Sequence, residues 1–113
     1  MLRFDLNGET WYVIFVSHDD PRLIDRTHTA RLGTTDPSRR AVYLSNALRG
    51  EMLERVLVHE LGHCMMVSYG LLNDIHQMVK ERYWVDAEEW VCNILANYSR
   101  KLLGIAEDIL REA

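Results

Sequence analysis

Hydrophobic residues follow two regimes along the chain, short runs before residue 50 and helical spacing after it. Residues 11–17 read Trp-Tyr-Val-Ile-Phe-Val-Ser, a short aromatic and β-branched run that predicts a buried strand. His18-Asp19-Asp20-Pro21 breaks it, because proline cannot continue a ladder, and a short helical turn is expected over 21–26. Residues 28–33 predict a second strand, Thr34 to Ser38 a turn around Asp36-Pro37, and Ala41 to Ser45 a third strand. Two strands this close predict a hairpin.

The second regime predicts a helix from Glu51 to Tyr69, with Gly70 as its C-cap. A short helix is expected over 71–81. Asp86 is the expected N-cap of a long helix reaching about Leu103, where Gly104 ends or kinks it. Strands first and helices after give an α+β fold of one domain spanning 1–113, with about three strands packed on two main helices.

Composition narrows the function classes. The net charge of −4 disfavours a nucleic-acid binder, whose footprint is a basic face. Cys64 and Cys92 are too few for a disulfide scaffold and too far apart in sequence for a cysteine zinc site, so they read as buried, inert thiols. The first residues lack the apolar core of a signal peptide, and no apolar run is long enough to span a membrane. The expectation is a soluble cytoplasmic protein with no membrane partner, in which the Asn97-Tyr98-Ser99 sequon has no consequence.

The chemistry concentrates in His59-Glu60-Leu61-Gly62-His63. Histidines four apart on a helix stack on one face, one turn apart, and can share a metal ion. Glu60 is offset by about 100° and can act on a water without occupying a coordination position. With 5 histidines in 113 residues, chance gives such a pattern in about 2 of 100 chains of this composition. The surroundings argue further against chance. From Val56 to Val67 the helix is apolar apart from the motif, which reads as buried, and burying two imidazoles and a carboxylate without partners costs several kcal/mol. Two imidazoles and a carboxylate suit zinc, with one position left open for water.

A catalytic zinc needs a third protein ligand. Met66 and Tyr69 stand where the metzincin extension has Gly and His, which removes that class. Asp74 and His76 lie beyond the expected helix end. Glu88 and Glu89 on the later helix are better placed, and periodicity alone does not separate them. Glu89 shares a face with the small Cys92 and Ala96, which allow close approach to the motif helix at Gly62, so Glu89 is preferred. Asp86 to Glu89 also fits a capping box, a competing task for Glu89.

Three stretches, Ala41-Val-Tyr-Leu-Ser-Asn-Ala-Leu48, Leu57-Val-His-Glu-Leu-Gly-His63 and Glu89-Trp-Val-Cys-Asn-Ile-Leu-Ala96, resemble the zincin metallopeptidases of the glutamate-ligand type, and among them the ImmA/IrrE-like family. The resemblance covers roughly residues 41–98. It implies a zincin-like fold and a compact single-domain member of the kind carried by phages or mobile elements. It aligns Glu89 with the family's third zinc ligand. It also implies that Asn93, one turn after Glu89, holds His59 in its tautomer. Cys92 and Leu95 depart from the family's usual residues.

The expected function is a zinc metallopeptidase acting on a peptide or protein substrate, with zinc on His59, His63 and Glu89 and with Glu60 as general base. Tyr69, His76, Tyr83 and Tyr98 are candidates to stabilise the oxyanion, with nothing to choose between them. A substrate is expected as an added strand along the strand at 41–45. The main alternative is a regulatory or interaction module on a retained zincin fold that cleaves little or not at all. A purely structural zinc site is disfavoured because it leaves Glu60 without a task.

Overall fold

The computed structural model describes residues 2–113. Strand β1 (Leu2–Leu6) and strand β2 (Glu9–Val16) form an antiparallel hairpin, with Leu6 opposite Glu9. Asn7 and Gly8 make the two-residue turn at φ 49° and 79°, as a type I′ turn requires. This hairpin raises the sheet from the expected three strands to four. Phe4 and Leu6 face inward from β1 and pack on the core.

Strand β3 (Gly33–Asp36) pairs antiparallel with β4 (Ala41–Ser45), and β4 pairs in parallel with β2. The order is β1-β2-β4-β3. The expected hairpin is present, but its first strand lies after the predicted 28–33. Thr34 and Thr35 are strand residues, and the turn begins at Pro37. Asp36 caps that turn by accepting from the Ser38 and Arg39 amides. The predicted helical turn shortens to Pro21–Leu23, capped by Asp20.

Every residue of β4 is buried, because both its faces are covered. Val42 and Leu44 join Trp11, Leu48 and Cys64 on the helical side. Ala41 and Tyr43 join Val16 and Leu23 under the β2–β3 connection. β4 is therefore interior and cannot accept a further strand, which overturns the expected substrate edge. The edge beside the helices is β3.

Helix α1 (Gly50–Ser68) ends in a Schellman motif. Gly70 sits at φ 68°, its amide donates to the Val67 carbonyl, and the Leu71 amide donates to that of Met66. The end is pinned to the hairpin, because Trp11 Nε1 donates to Ser68 Oγ at 2.7 Å inside the core. α1 is not buried all round as its composition suggests. Glu60, Gly62, Cys64 and Met66 are buried, while Leu57, Leu61 and Met65 line an apolar groove.

After a short helix α2 (Leu72–Met78), helix α3 (Trp84–Glu112) runs 29 residues and packs antiparallel to α1. It starts before Asp86, which lies in its first turn rather than at its cap, and it continues through Gly104. Trp84 fixes the early start: its ring stacks on His76 with centroids 3.7 Å apart, and its Nε1 donates to the Val79 carbonyl. Gly62 sets the approach of the two long helices. A Cβ there would lie 3.0 Å from Cys92 Sγ and 3.4 Å from Cys92 Cα, so only glycine lets the helices come this close without displacement. No described helix is long and apolar enough to cross a membrane.

Candidate metal centre

The close contact of Gly62 with Cys92 brings the first turns of α3 against the motif on α1. His59 and His63 project from one face of α1, and their Nε2 atoms lie 3.2 Å apart. The Glu89 carboxylate reaches both: Oε2 is 3.2 Å from His59 Nε2, and Oε1 is 2.9 Å from His63 Nε2. One ligand atom from each of the three residues fits within a 4.8 Å group.

These spacings test whether the residues suit zinc. Two ligands about 2.0–2.1 Å from a tetrahedral zinc stand about 3.3–3.4 Å apart. The observed separations of 3.2, 3.2 and 2.9 Å differ from that by about half an ångström or less. The donor set, two imidazole nitrogens and one carboxylate oxygen, is also one that zinc accepts. The residues therefore fit the ion. Because Glu89 turns to the histidines, the capping-box task does not arise.

Glu88 has a separate place. Its Oε2 lies 3.2 Å from His63 Nδ1, the nitrogen on the far side of the ring from the cluster. A proton kept on Nδ1 by Glu88 would leave the Nε2 lone pair for an ion held between His63, His59 and Glu89. The sequence presents Glu88 only as a rival ligand. Its role as the partner of His63 depends on side-chain direction, which spacing does not reveal.

Glu60 is 6 % exposed and faces the other side of the cluster, with Oε2 3.9 Å from His59 Nε2. Thr35 on β3 donates to Glu60 Oε1 at 2.8 Å, a contact with no sequence signature. Gly33 makes that approach possible: a Cβ there would fall 2.8 Å from Val56 Cγ1 and 3.1 Å from Glu60 Cγ.

The charges respond to this packing. Burial raises the Glu60 carboxyl above its usual range, and the Thr35 hydrogen bond offsets part of that. Hydrogen bonds from His59 and His63 hold Glu89 well below the carboxylate range. Burial opposes a charge on His63, but Cys92, Glu88 and Glu89 outweigh it and push the imidazole up to about 12. Burial and the neighbouring Glu60 push the Cys64 thiol up to about 12, which suits an inert core residue.

A cleft of about 360 Å³ opens over His59 and Glu60, roofed by residues 30–33 and floored by both long helices. Asn93 lines it beside His59, but no hydrogen bond joins the two among the described residues. His76 is taken up by its stack on Trp84. Tyr69, Tyr83 and Tyr98 are each about half exposed, and none lines this cleft among the described residues.

No family model matches the sequence, and comparison with curated proteins finds no similar chain.

Proposed function

We propose that the chain is a zincin-type metallopeptidase, with a zinc ion held by His59, His63 and Glu89. The observation that carries this reading is the convergence of two Nε2 atoms and one carboxylate at tetrahedral-edge spacing, with a buried fourth group, Glu60, set to one side. A purely structural site would gain nothing from that last carboxylate.

Zinc held there supplies Lewis acidity, which makes water a nucleophile at neutral pH and polarises a carbonyl. The chain's own residues do the rest. Glu60 takes the proton from the attacking water and delivers it to the leaving amine. Burial suits it to that work by lifting its pKa toward the working pH. Thr35 holds Oε1, so Oε2 is the oxygen turned toward the cluster. Glu88 fixes the tautomer of His63.

An extended peptide along β3 is the fitting substrate. The Ser45 amide donates to the Leu32 carbonyl, so by antiparallel alternation Thr34 and Asp36 exchange bonds with β4. Gly33 and Thr35 then turn their backbone groups to the free edge beside Glu60, where a further strand can add.

The test is hydrolysis of unstructured peptides by zinc-loaded protein, wild type against Glu60→Gln. Loss of about 10²–10⁴-fold in the variant, with zinc retained, is expected for a missing general base. Equal rates in the two proteins, or no hydrolysis by the zinc-loaded wild type, would overturn the reading.

A further inference from the structure

The cleft continues past His59 toward the start of α1, and its far end differs in chemistry from the metal cluster. Arg55, His59 and His63 stand at i, i+4 and i+8 on one face of α1. Glu89, Asn93 and Asn97 do the same on α3. The helices are antiparallel, as the Glu89–His63 and Arg100–Glu54 contacts show. Following that alignment, Asn93 falls level with His59 and Asn97 with Arg55. The loop carrying Arg31 lines the same cleft.

The two arginines are placed differently. Arg31 is oriented by Asp25, whose Oδ2 accepts from Nε at 2.7 Å, leaving its terminal N–H groups free to bind. It also lies close enough to Glu60 and Glu89 to feel their charge. Arg55 is exposed and forms no ion pair among the described residues. Glu60 is the one acid among the described residues lining the cleft. Two guanidinium groups and two carboxamides thus line one cleft in a chain of net charge −4.

We propose that this end of the cleft is a carboxylate subsite: the substrate places an acid group between Arg55 and Arg31, about two residues from the bond that is cleaved. The inference rests on the metallopeptidase reading above. The position follows from two rises. Four residues of helix separate Arg55 from His59 by about 6 Å along the axis, and an extended peptide advances about 3.3 Å per residue. Guanidinium groups bind carboxylates through paired, charge-assisted hydrogen bonds, and the Asn93 and Asn97 amides add neutral donors. An Asp or Glu side chain and a peptide's own C-terminal carboxylate present the same group.

The test uses fluorescent peptides carrying Glu, Gln or Lys at each position in turn, each with a free and an amidated C-terminus. Their binding to zinc-loaded Glu60→Gln protein is read by anisotropy, beside their cleavage by wild type. Replacing Glu by Gln at one position is expected to weaken binding about tenfold or more, the effect of losing a charged hydrogen-bond partner. Sensitivity to amidation instead identifies the terminal carboxylate as the source. Adding Arg55→Glu is expected to abolish the acid preference and favour the Lys peptides. Arg55 is exposed, so the fold should persist, and zinc content with circular dichroism checks it.

Equal binding of Glu, Gln and Lys peptides with no effect of amidation, an unchanged preference in Arg55→Glu, or no binding of any peptide would each overturn the subsite. Cleavage by wild type without acid preference would overturn it and leave the peptidase reading standing. Arg55-dependent carboxylate binding without any cleavage would support the subsite and sink the peptidase reading.

Discussion

His63 Nδ1 lies 3.2 Å from Glu88 Oε2, which divides the two adjacent glutamates of α3 between the two nitrogens of one imidazole. Glu89 meets Nε2 at 2.9 Å, on the side that faces His59. Residues next to each other on a helix point about 100° apart, so the ring of His63 fits between their carboxylates.

That division predicts a graded response at Glu88. Glu88→Gln should retain zinc but bind it about 10–100-fold more weakly, the usual cost of losing an orienting partner. Competition with a chromophoric chelator measures this. Unchanged affinity would show that Glu88 does not orient the ligand.

Proton linkage gives a second prediction. Without metal, His63 is raised from 6.5 to about 12. The stability it contributes is fully present below about pH 6.5 and is lost as pH rises toward 12. Zinc must displace that proton, so its affinity rises with pH. From about pH 7 to about pH 9, the Tm of the metal-free protein should fall while the gap to the zinc-loaded protein widens. Calorimetry with and without chelator measures both. A gap that does not change with pH would contradict the linkage.

Thr35→Val keeps the shape of the side chain and removes the hydrogen bond to Glu60. That bond lowers the Glu60 pKa against its burial. Its loss should move the acid limb of the pH–rate profile upward and slow hydrolysis about tenfold on the acid side of that limb. A profile that only scales down, with the limb unmoved, would assign Thr35 a packing role instead.

Gly62→Val tests the helix approach. Its Cβ would meet Cys92 Sγ at 3.0 Å, with further methyl groups beyond. Overpacking of this kind costs about 1–3 kcal/mol, more than the few tenths that valine gains over glycine in a helix. Denaturant titration should show that loss, and zinc affinity should drop with it because Glu89 moves away from the histidines. Lost stability with zinc affinity intact would separate the packing from the site.

Much of the grouping at the candidate site was legible because helix geometry converts spacing into direction. His59 and His63 needed only the four-residue interval, and Glu89 was favoured because Cys92 and Gly62 are small enough to meet. Neither route reaches Glu88 or Thr35, whose roles depend on rotamers and on a strand 25 residues away in sequence. The sheet was less legible. Leu2, Phe4 and Leu6 alternate before Asn7-Gly8, a hairpin signal that was there to be read. Thr34 and Thr35 resemble turn residues beside Asp36-Pro37, yet their β-branched side chains extend the strand to Asp36. Reading β4 as an edge failed because its apolar run is that of a strand covered on both faces.

Zinc content after zinc-replete preparation and gel filtration, measured on wild type and Glu89→Ala together, tests the central claim most directly. The account predicts one zinc per wild-type chain and little or none in Glu89→Ala. A wild type without zinc would contradict it, and so would Glu89→Ala retaining zinc in full while Glu88→Ala loses it.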